Sequence, residues 1–254
     1  DYFYDITTSK IPMKKAFDHA GVPTPKWEAI KFNDIVKHNE LIHNLGSPLI
    51  VKPAVSGGSL GLGIQNVVDN PTDLQLQLDK MFEGYRGWNL STDGIIAESF
   101  IQGPEYTVMI VGSHHQPEYA KIYPPVERVF HASLPEKEKI LSFDRLWEIY
   151  EEETPMPEDE NFYQYQSSPD DIKLAIQQVS WDAYAAVNGK GYTRVDVRVD
   201  ANTGQPYVLE VNAQCGISED ENYTSIGAIL RFANQSFTEL IIHIINDAFA
   251  RRKK

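Results

Sequence analysis

The sequence predicts an α+β fold of layered helices and strands, and three observations lead to that class. Apolar runs with the length of strands are separated by segments whose apolar residues recur with helical spacing. A loop with four glycines in seven residues directly follows one of these apolar runs. Toward the carboxyl end, two alternating strand patterns flank a short turn-rich connection, which is typical of an antiparallel hairpin.

The first half of the chain begins with a helical pattern. Its apolar face runs from Ser9 to Ala20 and ends at Gly21, because a glycine with two prolines shortly after it stops a helix. The further elements predicted here are a helix over 33–44, a strand over 48–52, the glycine-rich loop, a strand over 63–68 and a helix over 71–82. This β-loop-β order with flanking helices is typical of α+β or α/β proteins.

The second half contains most of the predicted strands. The patterns predict strands over 94–98, 105–111 and 118–123, a helix over 169–187, strands over 192–199 and 206–211, and a final helix over 237–249. Residues 124–166 show few regular signals, and their length indicates either a functional lid or a disordered excursion.

Charge and composition exclude several classes of function. A formal net charge of −13 argues against a nucleic-acid partner and against binding to an anionic membrane surface. No apolar run approaches the roughly 20 residues of a membrane span. The single cysteine, Cys215, excludes an internal disulfide and indicates a reducing compartment, so a cytoplasmic location is predicted. A packing role is favoured for Cys215, since nothing in the sequence places a base beside it.

The glycine-rich loop follows a lysine at the end of a predicted strand. Lys52 and the unencumbered backbone N–H groups of residues 57–63 together suit a phosphate. The spacing matches neither a P-loop nor a dinucleotide fingerprint. A mobile surface loop without a ligand therefore remains open as the alternative for this stretch.

The predicted hairpin near the carboxyl end gathers polar side chains on one face. A turn centred on Thr203 sets Asp196 opposite Glu210 and Arg194 opposite Asn212. Two facing carboxylates repel unless something compensates, and a divalent cation would do so, because Asp, Glu and Asn supply the oxygen ligands that Mg²⁺ accepts. The alternative is a surface cluster of salt bridges. Combined with Lys52 and the glycine loop, the hairpin predicts a site for Mg²⁺ and ATP.

At this point the sequence resembles the ATP-grasp superfamily, specifically the D-alanine–D-alanine ligase branch, over nearly the whole chain. Four segments carry the resemblance: Thr8-Ser9-Lys10, Val51-Lys52-Pro53 with the glycine loop, Glu98 to Glu105, and the pair Arg194-Val195-Asp196 and Glu210-Val211-Asn212. Each motif is weak alone, but their order and spacing are specific.

The resemblance implies a role for each matched residue. The residues it assigns to the nucleotide are Lys10, Lys52, Gly57, Gly58, Ser59, Glu98, Phe100, Ile101, Glu105 and Leu209. Within this set, Glu98 and Ile101 would bind the adenine edge and Glu105 the ribose, while Phe100 covers a face of the base. The residues implied for the reaction are Arg194 and the Gly216 N–H, which would hold an oxyanion, together with Ser59. The metal ligands would be Asp196, Glu210 and Asn212.

Three departures from the family pattern bear on the substrates. The lid of the family carries a Lys-Tyr pair that residues 143–150 lack, and Arg145 is the candidate replacement for its lysine. Thr224 and Ser225 stand where the family has Ser-Leu near the second substrate. The N-terminal domain of the family, which helps to hold the first amino acid, has no counterpart in these residues. The identity of the substrates is therefore not implied.

The resemblance implies an ATP-grasp fold, with two subdomains whose mainly antiparallel sheets grip the nucleotide. Residues 22–100 would form the small subdomain and 101–254 the large one, on which a helix within 1–21 packs. The implied function is ATP-dependent ligation of a small carboxylate to an amine through an acyl phosphate, with ATP and Mg²⁺ as cofactors, Mn²⁺ as the alternative metal, and a homodimer as the predicted assembly. A nucleotide-binding module without turnover and a kinase-like phosphotransferase remain as alternatives.

Overall fold

The computed structural model describes residues 2–31, 37–157, 160–220 and 222–252. The helices are α1 (Tyr2–Thr8), α2 (Lys10–Ala20), α3 (His38–Leu45), α4 (Pro71–Glu83), α5 (Phe143–Leu146), α6 (Asp170–Ala186), α7 (Ser225–Phe232) and α8 (Phe237–Arg252). The strands are β1 (Trp27–Ile30), β2 (Leu49–Pro53), β3 (Val67–Val68), β4 (Ile95–Ser99), β5 (Glu105–Ser113), β6 (Lys121–Ile122), β7 (Val126–Phe130), β8 (Tyr163–Ser167), β9 (Lys190–Val199) and β10 (Pro206–Ala213).

The described strands form two antiparallel sheets. The smaller sheet has the order β1-β4-β2-β3, and the larger has the order β10-β9-β5-β7-β8 with β6 paired to β5. Helices α3 and α4 cover one face of the smaller sheet through a core that includes Leu41, Leu74 and Leu78. The α+β class and the antiparallel sheets are confirmed, while the boundaries of the two subdomains stay a prediction.

Alternation along β5 shows how the larger sheet uses its two faces. Val108 and Ile110 enter a core shared with α1, α2 and α6, whereas Met109 and Val111 enter a second core shared with α7 and α8. This second face also carries Glu105, four residues before Met109 and six before Val111. Helices α7 and α8 therefore cover one end of the face, and its other end is left for polar side chains.

The hairpin of β9 and β10 has the predicted register where it matters for the site. Asp196 lies opposite Glu210, and Arg194 lies opposite Asn212. The register shifts by one residue between Val208 and Glu210, so Leu209 has no partner in the ladder. The polar residues that follow the bulge, Glu210 and Asn212, line the cavity between the sheets.

Several elements differ from the sequence-based expectations. Residues 124–157 and 160–166 are neither disordered nor only a lid, because they contribute β7 and most of β8 to the larger sheet. The expected strand over 118–123 is a 3₁₀ turn followed by the two residues of β6. In the expected strand over 63–68, residues 64–66 form a 3₁₀ turn, and only Val67–Val68 form a strand, β3. The patterns missed α1, β1 and α7, and the first part of the helix expected over 33–44 lies outside the described residues.

Candidate active site

A cavity of about 550 Å³ lies between the two sheets and is lined from both. The structure brings together every residue that the sequence proposed for the nucleotide, the reaction and the metal, whereas Arg145 lies elsewhere. The proposed residues that line the cavity are Lys10, Lys52, Gly57, Gly58, Ser59, Glu98, Phe100, Ile101, Glu105, Arg194, Asp196, Leu209, Glu210, Asn212 and Gly216. Their placement agrees with the sequence analysis, while their individual roles stay predictions.

The wall formed by β9 and β10 carries the acidic residues. Asp196 accepts hydrogen bonds from Thr107 Oγ1 at 3.0 Å, from Arg194 Nε at 3.0 Å and from Asn212 Nδ2 at 3.0 Å. Burial acts to raise the pKa of Glu210, but positive charges led by Lys10, with its Nζ 3.5 Å from the carboxylate, outweigh it and lower the pKa. The carboxylate of Glu210 is therefore ionised at neutral pH.

The donor set of this wall fits a hard divalent cation that is shared with a phosphate. Asp196 and Glu210 supply carboxylates and Asn212 an amide oxygen, all from neighbouring strands. The described residues contain no group of three His, Cys, Asp or Glu side chains that could hold a metal ion by themselves. A site with two carboxylates agrees with this result, because Mg²⁺ is usually bound through one or two carboxylates plus substrate phosphates and water.

The opposite wall carries a buried carboxylate between two lysines. Glu98 Oε2 lies 2.8 Å from Lys52 Nζ, and Oε1 lies 3.3 Å from Lys14 Nζ. Burial raises the pKa of Glu98, but the two ammonium groups more than offset this and lower it to about 2. The pKa of Lys14 falls to about 8, chiefly because of burial, with Glu98 opposing the shift. Lys14 was missed in the sequence, although it lies one helical turn after Lys10.

The low pKa of Glu98 leads to a prediction about acid stability. The folded-state pKa lies below the ordinary value of 4.5, so ionised Glu98 stabilises the fold above that pH, by about 3 kcal/mol. This contribution is lost as the pH falls through the folded pKa. In urea unfolding at several pH values, we expect the wild type to be more stable than Glu98→Gln at pH 5 and the difference to shrink toward pH 2. A difference that stays constant with pH would show that Glu98 is not held ionised.

The glycine-rich loop curls over the end of β2. Three of its residues have positive φ angles, namely Gly58 at 57°, Ser59 at 62° and Gly61 at 75°. Turn hydrogen bonds join Leu60 N to Gly57 O and Leu62 N to Ser59 O. From the other side, the Trp147 indole donates to Gly58 O at 2.9 Å, and Lys10 Nζ donates to Ser56 Oγ at 3.2 Å. The loop is thus shaped by its own turns and by contacts with α2 and with the residue after α5.

Gly58 provides a direct test of the loop. An added Cβ would strain the positive φ and lie 3.3 Å from the Trp147 ring. We expect Gly58→Ala to lower turnover by about tenfold or more, while the free energy of unfolding falls by only about 1 kcal/mol. The control is Gly57→Ala, because the φ of Gly57 is not positive and its Cβ would meet nothing within 4 Å. Equal turnover in the two variants would mean that the loop shape does not matter for the reaction.

The segment from Glu98 to Glu105 joins the two sheets along the cavity. Phe100 N donates to Pro48 O at 3.1 Å, and the Ile101 carbonyl accepts from Arg198 Nη1 at 3.1 Å. Within the described part of the chain, Ile101 N–H donates to no protein acceptor. This free donor beside the buried Phe100 ring suits the edge of a planar base.

Two arginines that the sequence analysis did not assign surround Glu105. Its carboxylate accepts from Arg128 Nη1 and, at 3.1–3.2 Å, from Nη2 and Nε of Arg198. Arg198 was visible in the sequence, since it shares the face of Arg194 and Asp196 at period-two spacing. Arg128 lies in the segment that showed no strand signal.

The remaining expectations, for Arg145, for Thr224 with Ser225 and for Cys215, have different outcomes in the structure. Arg145 is buried against Glu138 and Glu153 and does not line the cavity, so its assignment as a replacement for the lid lysine is wrong. Thr224 and Ser225 do line the cavity, and Thr224 caps the N-terminus of α7 through Gly227 N. Burial raises the pKa of the Cys215 thiol to about 11, which agrees with a packing role.

The cavity lies between two antiparallel sheets. One wall carries lysines and a glycine loop, and the other carries two carboxylates and an amide. This arrangement defines an ATP-grasp nucleotide site. Residues 16–246 match the family model described as D-ala D-ala ligase C-terminus. The chain belongs to this family. The predicted ATP-grasp fold and the predicted class, an ATP-dependent carboxylate–amine ligase, are thereby confirmed. The family relationship also supports ATP, a divalent metal and amino-acid substrates.

Curated relatives and solved structures agree with this placement. The D-alanine–D-alanine ligase of Desulforudis audaxviator is 25% identical over 246 residues, covering 97% of this chain and 70% of the relative. That of Polynucleobacter asymbioticus is 27% identical over 258 residues, covering 98% of this chain but 64% of the relative. The structure of D-alanine–D-alanine ligase from Bacillus anthracis complexed with ATP has a TM-score of 0.70 at 24% identity, covering 98% of this chain and 68% of that one.

The chain therefore spans about two thirds of the length of these relatives. The VanG D-Ala:D-Ser ligase from Enterococcus faecalis has a TM-score of 0.69 at 19% identity, with 95% of this chain and 62% of that one covered, and shows the shared fold. No helix among the described residues is both long and apolar enough to cross a membrane.

Proposed function

We propose that this protein joins two small amino-acid-like substrates, using ATP to activate the carboxylate of the first as an acyl phosphate that the amine of the second attacks. One observation carries the proposal: a single cavity holds a phosphate-type loop with Lys52 on one wall and the set Asp196, Glu210 and Asn212 on the other. Phosphoryl transfer needs mainly positioning and neutralisation of charge, and these groups supply both without a protein nucleophile.

The two walls would divide the nucleotide between them. The apolar residues beside the Ile101 N–H hold the base, and Lys10 and Lys52 contact the phosphates. Mg²⁺, with Mn²⁺ as the alternative, would neutralise phosphate charge at the acidic wall when it is bound there. Lys10 bridges these parts, because its ammonium lies 3.5 Å from Glu210 and 3.2 Å from Ser56 of the loop.

The second half of the reaction places negative charge on the acyl oxygen. The amine attacks the acyl carbon, a tetrahedral intermediate forms, and phosphate leaves as the amide bond is completed. The Gly216 N–H donates to no acceptor among the described residues, and an added Cβ there would meet nothing within 4 Å. Arg194 also lines the cavity. These two groups are the candidates for holding the oxyanion.

The test is a screen of substrate pairs with release of ADP and phosphate as the readout. D-Alanine paired with D-alanine is the first pair, because the similar proteins are D-alanine–D-alanine ligases, and D-alanine with D-serine is the second. We expect phosphate release that requires both partners, together with a product whose mass is that of the pair minus water. ATP binding without turnover would favour a nucleotide-binding module, and a phosphorylated acid without amide would favour a phosphotransferase. The homodimer and the cytoplasmic location stay predictions.

A further inference from the structure

Two similar charge clusters lie at the two ends of the segment that joins the sheets. At one end, Glu98 is held between Lys14 and Lys52. At the other end, Glu105 is held between Arg198 and Arg128. Each cluster has two cations around one buried carboxylate, and each faces the same cavity. The surplus positive charge of the first cluster is explained by the phosphates assigned to Lys52, whereas no anion has been assigned to the second cluster.

The second cluster is a row across four strands of the larger sheet. Arg198 in β9 pairs with Glu105 in β5, Glu105 with Arg128 in β7, and Arg128 with Tyr165 in β8. The next row on the same face contains Asp196, which pairs with Thr107 two residues after Glu105. The row of Glu105 is therefore adjacent to the row that contains Asp196, on the part of the sheet that α7 and α8 leave uncovered.

The positive charge of this row is not balanced by protein groups at close range. Arg128, Arg198 and Glu105 are each more than nine-tenths buried, so the cluster holds one uncompensated cation away from bulk water. The next carboxylate on this face, Asp196, already pairs with Arg194 at 2.9 Å. An unpaired buried charge is strongly unfavourable, and an anion in the cavity would remove that cost.

The contacts of the two arginines differ and identify the one that can reach a ligand. Arg198 is enclosed: it donates to the carbonyls of Ile101 and Lys139 and lies over the Phe100 ring at 5.0 Å. Arg128 lies over the rings of Tyr163 and Tyr165 at the cavity, and its Nη2 donates to Tyr165 Oη at 3.2 Å. Among the described residues its Nε has no hydrogen-bond partner. A buried donor without an acceptor beside a cavity indicates a missing ligand oxygen.

We propose that Arg128 binds an oxyanion of a ligand in this cavity. The oxyanion is either a phosphate of the nucleotide or the carboxylate of an amino-acid substrate, and guanidinium suits both. The inference rests on the proposed function for the second source of the anion, but the first source requires only that the protein binds nucleotides.

The experiment compares Arg128→Met with Arg145→Met and Arg128→Lys in the full chain. Arg145 is the matched control, since it is equally buried but lies outside the cavity. The first arm measures the affinities of adenosine, ADP and ATP by calorimetry, with thermal unfolding to confirm that each variant is folded. The second arm measures KM for D-alanine at saturating ATP. In Arg128→Met, Glu105 keeps Arg198 as its partner, which favours a folded protein.

If the oxyanion is a phosphate, we expect Arg128→Met to weaken the binding of ADP and ATP by at least about tenfold, while the affinity for adenosine changes by less than about twofold. If the oxyanion is instead the carboxylate of a substrate, we expect unchanged nucleotide affinities and a rise in the KM for D-alanine by a similar factor. In both cases Arg128→Lys recovers part of the loss and Arg145→Met shows none. Losses of equal size for adenosine and ATP with an unchanged KM, or the same losses in Arg145→Met, would overturn the proposal. If D-alanine is not ligated, the proposed substrates are wrong. The nucleotide affinities of the first arm then decide whether Arg128 binds an oxyanion.

Discussion

Glu210→Gln is expected to lower kcat by about 10²–10³ while the protein stays folded. The substitution keeps the shape of the side chain but removes one of the two carboxylates on the β9–β10 wall. Glu210 has Lys10 as its only ion-pair partner within 4 Å in the described structure, at 3.5 Å, so the free energy of unfolding should change by less than about 1 kcal/mol. The measurement is steady-state phosphate release, with urea unfolding of the same preparation.

Asp196 is a poorer choice for this test, because its removal would also leave the Arg194 guanidinium without its partner. The control is Glu28→Gln, a conservative change on the edge strand β1 outside the cavity. If Glu210→Gln turned over at the rate of Glu28→Gln, the assignment of Glu210 as a metal ligand would be wrong. A loss that higher Mg²⁺ or Mn²⁺ partly restores would support it further.

Lys52→Met is expected to weaken ATP binding by at least about tenfold and adenosine binding far less. The ammonium is assigned to the phosphates, whereas the base is assigned to the segment around Ile101. Loss of Lys52 leaves Glu98 paired with Lys14, so the buried carboxylate keeps one cation and the fold should persist. Calorimetric titration with adenosine and ATP is the measurement.

The control is Lys15→Met. Lys15 is an exposed residue of α2 that does not line the cavity, so this variant removes a positive charge of the same kind away from the site. Equal losses for adenosine and ATP in Lys52→Met would place Lys52 away from the phosphates. Lys10→Met should show the same selectivity for ATP with a smaller loss.

The hairpin shows how far local pattern determines the site. Period-two spacing and a central turn predict that Asp196 faces Glu210, and the structure has that pairing. The bulge at Leu209 has no signature in the sequence, because an alternating strand looks the same with or without one unpaired residue. Next to the turn, Val208 pairs with Val197, a register that would continue by placing Leu209 opposite Asp196. The one-residue shift at the bulge brings Glu210 opposite Asp196 instead, so the predicted pairing holds at the site because of the bulge.

The arginines and Lys14 show where sequence reasoning stopped. Arg128 lies in a five-residue strand whose buried positions include a charge, so the alternation of β7 was not recognised. Lys14 is fully buried, which its sequence neighbourhood gives no reason to expect. Each residue pairs with a carboxylate that is distant in the sequence, Arg128 with Glu105 and Lys14 with Glu98. The first pair forms when β5 and β7 align within the larger sheet, and the second forms when α2 packs against the end of β4.

The central claim is that ATP activates a carboxylate as an acyl phosphate in this cavity. The most direct measurement uses a substrate acid labelled with ¹⁸O in its carboxylate, with the amine partner and ATP present, and follows the label by mass spectrometry. The account predicts that one labelled oxygen appears in inorganic phosphate for each amide formed, because the carboxylate oxygen that attacks the γ-phosphate leaves with it. Amide formation with unlabelled phosphate, or ATP hydrolysis that transfers no label and yields no amide, would contradict it.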